Sequence, residues 1–363
     1  MLNAYVIFFL ISIFLLVVGM SSDFKKSHHL SLYIAFILIF FIGFRADTTD
    51  YGNYFAHFIS ISNAAGIVDA FSSYRDGGHG AVIYFLSKIS GSPVIYFVFY
   101  SALSIGATWY VFRKTSDYAL FPWFFFITNG SFHQNMAQMR SGLSTSLFLL
   151  AIYFLYKKRT FVWGGIIGAA SSVHASAVTG FLSYIVLAMR SGSIYFLIFS
   201  GALLASAFGG FGEVILINIF SHFEIQFANI SARALGYAGQ PSNLTFIYFH
   251  MGFLFSIIFV IFRERMIKKH QFSYYLVPLN VIGSSFEVAV RDVGVLASRI
   301  GDLFSYGTEP LLWTVLISCF GKKTRIILIF AVGSWFLLKF ANTNLLHGVS
   351  SYNLFWFSGY HTI

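Results

Sequence analysis

Apolar runs follow one another along nearly the whole chain, and the polar breaks between them carry clustered cations in alternation. The runs fall at about 2–19, 29–44, 92–112, 118–130, 139–156, 160–173, 175–189, 193–210, 244–262, 272–290, 302–320 and 325–341. Roughly 17–25 apolar residues cross a bilayer as a helix, and within lipid a lone segment satisfies its backbone groups only by becoming helical. The expected fold is therefore an all-α polytopic integral membrane protein of about 11–12 membrane helices, several in short hairpins. Composition agrees, since 57% of residues are hydrophobic and 10% charged, a balance foreign to soluble domains. No cationic stretch precedes the first run as in a secretory signal peptide, so it is expected to be retained as a helix. The single cysteine, Cys319, excludes an intrachain disulfide and is expected to be inert core.

Topology accounts for the net charge of +10. Fifteen of the 23 Lys and Arg sit in alternate breaks: Lys25-Lys26, Arg113-Lys114, Lys157-Lys158-Arg159, Arg190, the 263–269 stretch, and Lys322-Lys323 with Arg325. The positive-inside rule makes that face cytoplasmic and puts both termini outside. No nucleic-acid partner is then needed to explain the charge. Of the eight remaining cations six are arginines, Arg45, Arg75, Arg140, Arg233, Arg291 and Arg299, and two are lysines, Lys88 and Lys339. Arginine presents a rigid, permanently charged fork that matches phosphate oxygens, so this outer-side bias points to an anionic ligand.

The chain reads as one transmembrane domain, 1–363, with two outer loops long enough to fold over it as lids. The first, 45–91, carries amphipathic helical patterns. With Thr48 or Thr49 as N-cap, a helix would set Asp50, Tyr54 and His57 on one face. Gly77-Gly78-His79-Gly80 is expected to break the chain before an apolar stretch too short to span. The second loop is 209–243. Runs 118–130 with 139–156, and 160–173 with 175–189, lie between basic breaks, so each pair is expected to form a hairpin with its tip on the outer side.

Ionisable groups inside such segments are costly, which makes them candidates for function. If the chain is helical through 135–144, His133 and Arg140 lie two turns apart on one face, among Asn135, Gln138, Ser141, Ser144 and Thr145. A hairpin lining a cavity explains that polar stripe better than a lipid-facing helix. His174 joins two apolar runs beside Ser171, Ser172 and Ser176, and its near-neutral titration suits proton transfer. Arg45 follows a span and precedes Asp47 and Asp50. Arg291-Asp292 and Arg299 with Asp302 open a late run. Each has a plain structural alternative: an interfacial arginine reaching headgroups, a helix-end arginine on backbone carbonyls, a hydrogen-bonded tip histidine, an Arg–Asp network closing helix ends. Phosphate loops, zinc helices and nucleophile elbows are missing from the sequence, and no acidic pair has metal spacing. A metal-free, cofactor-free reaction assisted by arginines is the expectation.

Taken in order, Phe44-Arg45-Ala-Asp-Thr-Thr-Asp50-Tyr51-Gly-Asn-Tyr54, Arg140-Ser-Gly-Leu, His174-Ala-Ser-Ala, Arg299 and the terminal Tyr352-Asn-Leu-Phe-Trp-Phe resemble the EpsG-like branch of the Wzy-type repeat-unit polymerases that build O-antigen and related bacterial polysaccharides. The resemblance implies an inner-membrane glycosyltransferase, GT-C-like, with a periplasmic site. Its donor and acceptor would be undecaprenyl-diphosphate-linked glycans, the growing chain passing to the non-reducing end of a lipid-linked unit. On that reading Arg140 and Arg299, then Arg45 and Arg291, hold the diphosphate. His174 is the first candidate base, Asp50 the alternative and His133 the third, while Tyr51, Tyr54, Asn135 and Asp302 face sugar. Membrane lipids and a chain-length regulator protein are the remaining expected partners. An O-antigen ligase-like transferase needs the same groups and stays open. A transporter or flippase of lipid-linked sugars is disfavoured, because related halves are lacking and the charges gather near one face.

Overall fold

The computed structural model describes residues 4–19, 28–46, 50–74, 76–187, 192–208, 214, 246–291, 293–342 and 353–354. Except for Val214, the expected 209–243 loop lies outside the described residues. So do Asp47, Thr48, Thr49, Arg75, Arg190, Arg233, Asp292 and most of the terminal aromatic segment. Packing divides the chain into two units, Met1–Val178 with Glu309–Ile363, and Thr179–Thr308.

The first unit runs α1 (Ala4–Gly19), α2 (His28–Gly43), strand β1 (Arg45–Ala46), α3 (Tyr51–Ser62), α4 (Ile67–Ser73), α5 (Gly77–Ile89), α6 (Val94–Thr115), α7 (Phe121–Thr128), α8 (Ser131–Ala137), α9 (Met139–Tyr156) and α10 (Thr160–Val173). Helices Glu309–Ser318 and Lys322–Ala341 complete it, and β1 pairs antiparallel with Asn353–Leu354.

Apolar side chains cover α1 and α2 on every side. On α1, Tyr5, Phe8, Ser12 and Leu15 are buried, while Leu10, Ile13, Phe14 and Val17 are exposed. The exposed set recurs at i, i+3, i+4 and i+7, one face of a helix. α2 repeats the pattern with Tyr33, Phe36, Ile37 and Phe40 outward. Such faces cost about 25 cal/mol per Å² in water and nothing of the kind in lipid, so these helices belong in a bilayer. α6, α9 and Lys322–Ala341, of 22, 18 and 20 residues, are each long and apolar enough to cross one. The other apolar helices described are shorter, 10–17 residues.

Small and polar residues make the seam between α6 and α9. Ser104 donates to Asn135 on α8 and bonds Ser146 at 2.8 Å, and Thr108 donates to Ser146 at 3.1 Å. A Cβ on Gly142 would lie 2.8 Å from the Asn135 backbone, so glycine there is what lets α8 close on α9. Across the same unit, Asn129 donates to the buried Glu309 at 3.3 Å and accepts from Lys339 Nζ at 3.4 Å through its carbonyl.

Four local expectations are corrected. The helix through 135–144 is interrupted at Gln138, whose φ of −117° and ψ of 58° end α8 before α9 begins. His133 and Arg140 therefore do not share one helix face. Gly77-Gly78-His79-Gly80 opens α5 instead of breaking the chain. Asp50 itself is the N-cap of α3, leaving Tyr54 and His57 one turn apart on the helix. The expected 302–320 run is also divided, between the end of helix Gly294–Ser305 and helix Glu309–Ser318. Run 118–130 is short as expected, appearing as the eight residues of α7, with the turn at Gly130 held at a φ of 114° that glycine tolerates.

Within the second unit, helices Ser273–Ala289 and Gly294–Ser305 cross at Gly283, where a Cβ would meet Phe304 Cβ at 2.8 Å and the Gly301 carbonyl at 2.9 Å. Ser256 bonds both Asn280 Oδ1 and Ser284 Oγ at 2.7 Å, tying helix Phe246–Ile261 to the same core.

The contrast among glycines gives a stability test. Gly142→Leu is expected to lower the thermal midpoint of the detergent-purified protein by overpacking, roughly 1–3 kcal/mol. Gly106→Ala, where a Cβ meets nothing within 4 Å, is expected to be neutral or stabilising by up to about 1 kcal/mol. Equal midpoints for the two variants would remove Gly142 from its packing role.

Candidate active site

Polar groups from α3, α5, α6, α9 and the end of α10 converge in the first unit around Arg140. This residue lies in the first turn of α9, where the positive end of the helix dipole is unfavourable for a cation. A carboxylate answers it: Asp76 and Arg140 form an ion pair between Oδ2 and Nη1. Asp76 occupies the N-cap of α5 but makes no side-chain cap bond. A capping aspartate is worth about 1 kcal/mol to a helix, so its carboxylate is engaged elsewhere at some cost. Its other oxygen accepts the backbone N–H of Ala175 at 3.2 Å, next to His174. One side chain thus joins the starts of α5 and α9 to the turn after α10.

Aromatic rings enclose the guanidinium. Its carbon lies 5.3 Å from the Tyr74 ring centroid and 6.0 Å from that of Tyr54, within cation–π range. The Tyr54 hydroxyl hydrogen-bonds the same group. His79 is buried below, with Nδ1 2.7 Å from the Tyr100 hydroxyl and Nε2 3.2 Å from that of Tyr96. A neutral imidazole has one donor and one acceptor, so the two phenols take opposite roles. Tyr74 packs on His57 at 4.9 Å and on His79 at 4.7 Å between centroids.

The electrostatics follow from burial and from Arg140. Burial first, then the Arg140 charge and the neighbouring His57 and His174, hold His79 well below the ordinary imidazole value. The same first two causes lower His57 more mildly. Burial raises the Tyr54 phenol against the opposing pull of Arg140. Near neutral pH this is one guanidinium facing uncharged imidazoles and phenols, able to hold an anion and to accept or pass a proton.

His174 belongs to this neighbourhood. It is buried, ends α10 in an extended conformation, and lies close enough for its charge to act on His79. Arg45 is buried in the same unit. Its Nη1 donates to the Ile42 carbonyl at 2.6 Å, and its guanidinium lies 4.9 Å from the Phe97 ring. Tyr51 stacks on that ring at 5.1 Å, so Tyr51 and Arg45 share one aromatic partner. Asn135 is buried in the α6–α9 seam and donates to the Ser131 carbonyl at 2.8 Å. His133 is half-buried on α8. Asp50 lies at the start of α3, and its charge acts on Tyr54. In the second unit, Arg299 is half-buried, Asp302 is buried, and Arg291 is exposed with Nη2 donating to the Ser206 carbonyl at 3.2 Å.

Sequence reasoning missed Asp76, Tyr74, His79, Tyr96 and Tyr100. One signal was available for Asp76, since with only 13 acidic residues in the chain an aspartate just before Gly-Gly-His-Gly stands out.

A helical chain that gathers a paired arginine, phenols and neutral imidazoles in one unit, with helices apolar and long enough to cross a bilayer, is a membrane protein. The EpsG family model matches residues 28–356, and the chain belongs to the EpsG family, membrane proteins of polysaccharide biosynthesis. No curated protein and no solved structure matches it.

Acidification tests the neutral histidines. A folded-state value below the unfolded one means the unfolded chain takes up the proton first, so stability is complete above about pH 6.5 and declines as pH falls below it. The thermal midpoint is expected to drop across that window, and the slope to flatten in His79→Gln. Tyr100→Phe, which removes the 2.7 Å partner, is expected to cost roughly 1–3 kcal/mol at pH 7.5. A midpoint independent of pH in the wild type would contradict the assignment.

Proposed function

We propose that this protein is a metal-independent glycosyltransferase of the bacterial inner membrane that polymerises undecaprenyl-diphosphate-linked oligosaccharide repeat units at its periplasmic face. The growing glycan leaves one undecaprenyl diphosphate and is transferred to the non-reducing end of a new lipid-linked unit. The observation that carries this reading is the Arg140 cluster, a cation backed by Asp76 and ringed by Tyr54 and Tyr74, in a chain of the EpsG family.

The chemistry suits those residues. The anomeric C–O bond breaks with its electron pair passing to the departing diphosphate, and the acceptor hydroxyl loses its proton as its oxygen bonds that carbon. Guanidinium groups placed in advance stabilise the growing charge more in the transition state than in the ground state. Arg140 and Arg299 are assigned first to the diphosphate, with Arg45 and Arg291 supporting. His174 is assigned as the base, ahead of Asp50 and His133, and the Arg140 environment favours it because its backbone neighbour Ala175 is tied to the same carboxylate. Tyr51, Tyr54, Asn135 and Asp302 are assigned to the sugars. A GT-C-like arrangement, with 45–91 as a lid and a chain-length regulator as partner, completes the proposal.

Ladder formation from a purified, defined undecaprenyl-diphosphate oligosaccharide tests the activity. Arg140→Ala and Arg299→Ala are each expected to lower turnover by about 10²–10³ while the protein still reaches the membrane. Arg140→Lys should rescue poorly, since an ammonium lacks the planar fork. Wild-type chain lengths in these variants would remove the two arginines from the site. Transfer to a lipid A-core acceptor in place of a repeat unit would make the protein a ligase.

The base assignment has its own test. His174→Ala is expected to reduce turnover by about 10²–10⁴ at neutral pH, with part of the loss recovered at higher pH as hydroxide substitutes. Near-normal turnover would eliminate His174 and pass the role to Asp50.

A further inference from the structure

The carboxylate behind Arg140 carries one more step, which rests on the glycosyl-transfer reading above. The Asp76 side chain is 3% exposed and that of Arg140 is 23% exposed, so the guanidinium has an open side and the carboxylate lies on the closed one. Asp76 forgoes the cap of its own helix and divides its two oxygens between Arg140, 64 residues away, and the Ala175 N–H, 99 residues away. Arg140 Nε is buried and makes no hydrogen bond in the structure, so the exposed part of the guanidinium lies towards its Nη atoms. The rings of Tyr54 and Tyr74 flank the guanidinium, the Tyr54 hydroxyl bonds it, and the carboxylate supplies its one opposite charge at contact distance among the described residues.

We propose that Asp76 is a positioning residue with two effects, aiming the Arg140 fork at the donor's diphosphate and holding the His174 turn in register with it. It also serves as a fixed counter-ion. With Asp76 ionised the pair is neutral as a whole, so the diphosphate formed by glycan transfer is held less tightly than by a bare guanidinium and leaves more readily. An anion approaching Arg140 from its open side interacts with the cation at close range and with the carboxylate at longer range. Attraction prevails, at reduced strength.

The test compares wild type, Asp76→Asn, Arg140→Gln and the double variant, each as the full chain in nanodiscs. Farnesyl diphosphate serves as a soluble diphosphate probe, and undecaprenyl-diphosphate oligosaccharide as substrate. Asparagine keeps the size of the side chain and an acceptor for Ala175, so folding is conserved, and the thermal midpoint checks that it is. Asp76→Asn is expected to bind the probe roughly tenfold more tightly, because an opposing charge within a few ångströms has been removed. KM and kcat should both fall, the second by about tenfold as product release slows. Arg140→Gln is expected to lose probe affinity, and the double variant to bind no worse than Arg140→Gln alone, since a residue acting through Arg140 has nothing left to act on.

Unchanged or weaker probe binding in Asp76→Asn overturns the proposal, as does a double variant showing two independent, additive effects. Absence of Arg140-dependent probe binding in every form overturns it too. Tighter probe binding by Asp76→Asn in a protein that elongates no glycan strikes the polymerase reading and leaves the Asp76 assignment standing. Elongation by the wild type with Asp76→Asn unaltered in both assays does the reverse.

Discussion

An arginine surrounded by apolar helices must be neutralised or hydrated, and the first unit is arranged around that need. Taking a guanidinium out of water costs several kcal/mol, which one carboxylate in good geometry offsets only in part. The Arg140–Asp76 pair is thus weak evidence of stability and stronger evidence of a use for the charge. What the pair requires of the chain is visible in three segments. α5 begins where its N-cap aspartate can turn away from the helix, α9 begins with Arg140 in its first turn, and α10 ends so that the Ala175 N–H meets the second carboxylate oxygen. Gly142 contributes by letting α8 lie against α9 immediately beyond Arg140.

The membrane-embedded helices were legible because their signal is local. Apolar runs of helical length and alternate basic breaks located α1, α2, α6, α9, α10 and Lys322–Ala341 within a few residues. Arg140 stood out for the same reason, as a cation placed in an apolar stretch has few structural excuses. The interruption at Gln138 was not legible, because no glycine or proline marks it. The run Phe132 to Met139 holds neither, and the turn at Asn129-Gly130 that sets the direction of α8 lies upstream of it. Asp76 was hidden for a different reason. Its partners are 64 and 99 residues away, and sequence periodicity relates only residues within a helix or two of one another. The Gly-Gly-His-Gly stretch beside it reads as a breaker, yet it starts a helix: a Cβ on Gly77 would strike the Phe71 ring and one on Gly78 would strike Ser172, so the glycines serve close packing.

Arg45 and Tyr51 make contacts that serve the fold whatever else they do. Arg45 is tied to the Ile42 carbonyl and to the Phe97 ring, and its strand partner is Leu354 near the other end of the chain. Those contacts fix the exit of α2 and join the two segments that carried the family resemblance at either end. The charge of Arg45 nevertheless acts on Tyr54, so it bears on the Arg140 cluster electrostatically while its hydrogen bond serves the fold.

The same field that suits Arg140 to an anion works against a base beside it. Burial first, and then the Arg140 charge, lower the proton affinity of both His57 and His79, and a weak base is a poor acceptor for a hydroxyl proton. On the proposed reading, a diphosphate held at Arg140 offsets the second of these causes at His57 and His79 and leaves burial, the larger one, in place. A guanidinium already paired with Asp76 depresses its neighbours less than a bare one. On that reading an anion at Arg140 and the imidazoles of His57 and His79 are coupled through charge, so the same guanidinium that suits the diphosphate sets how readily its neighbours take a proton.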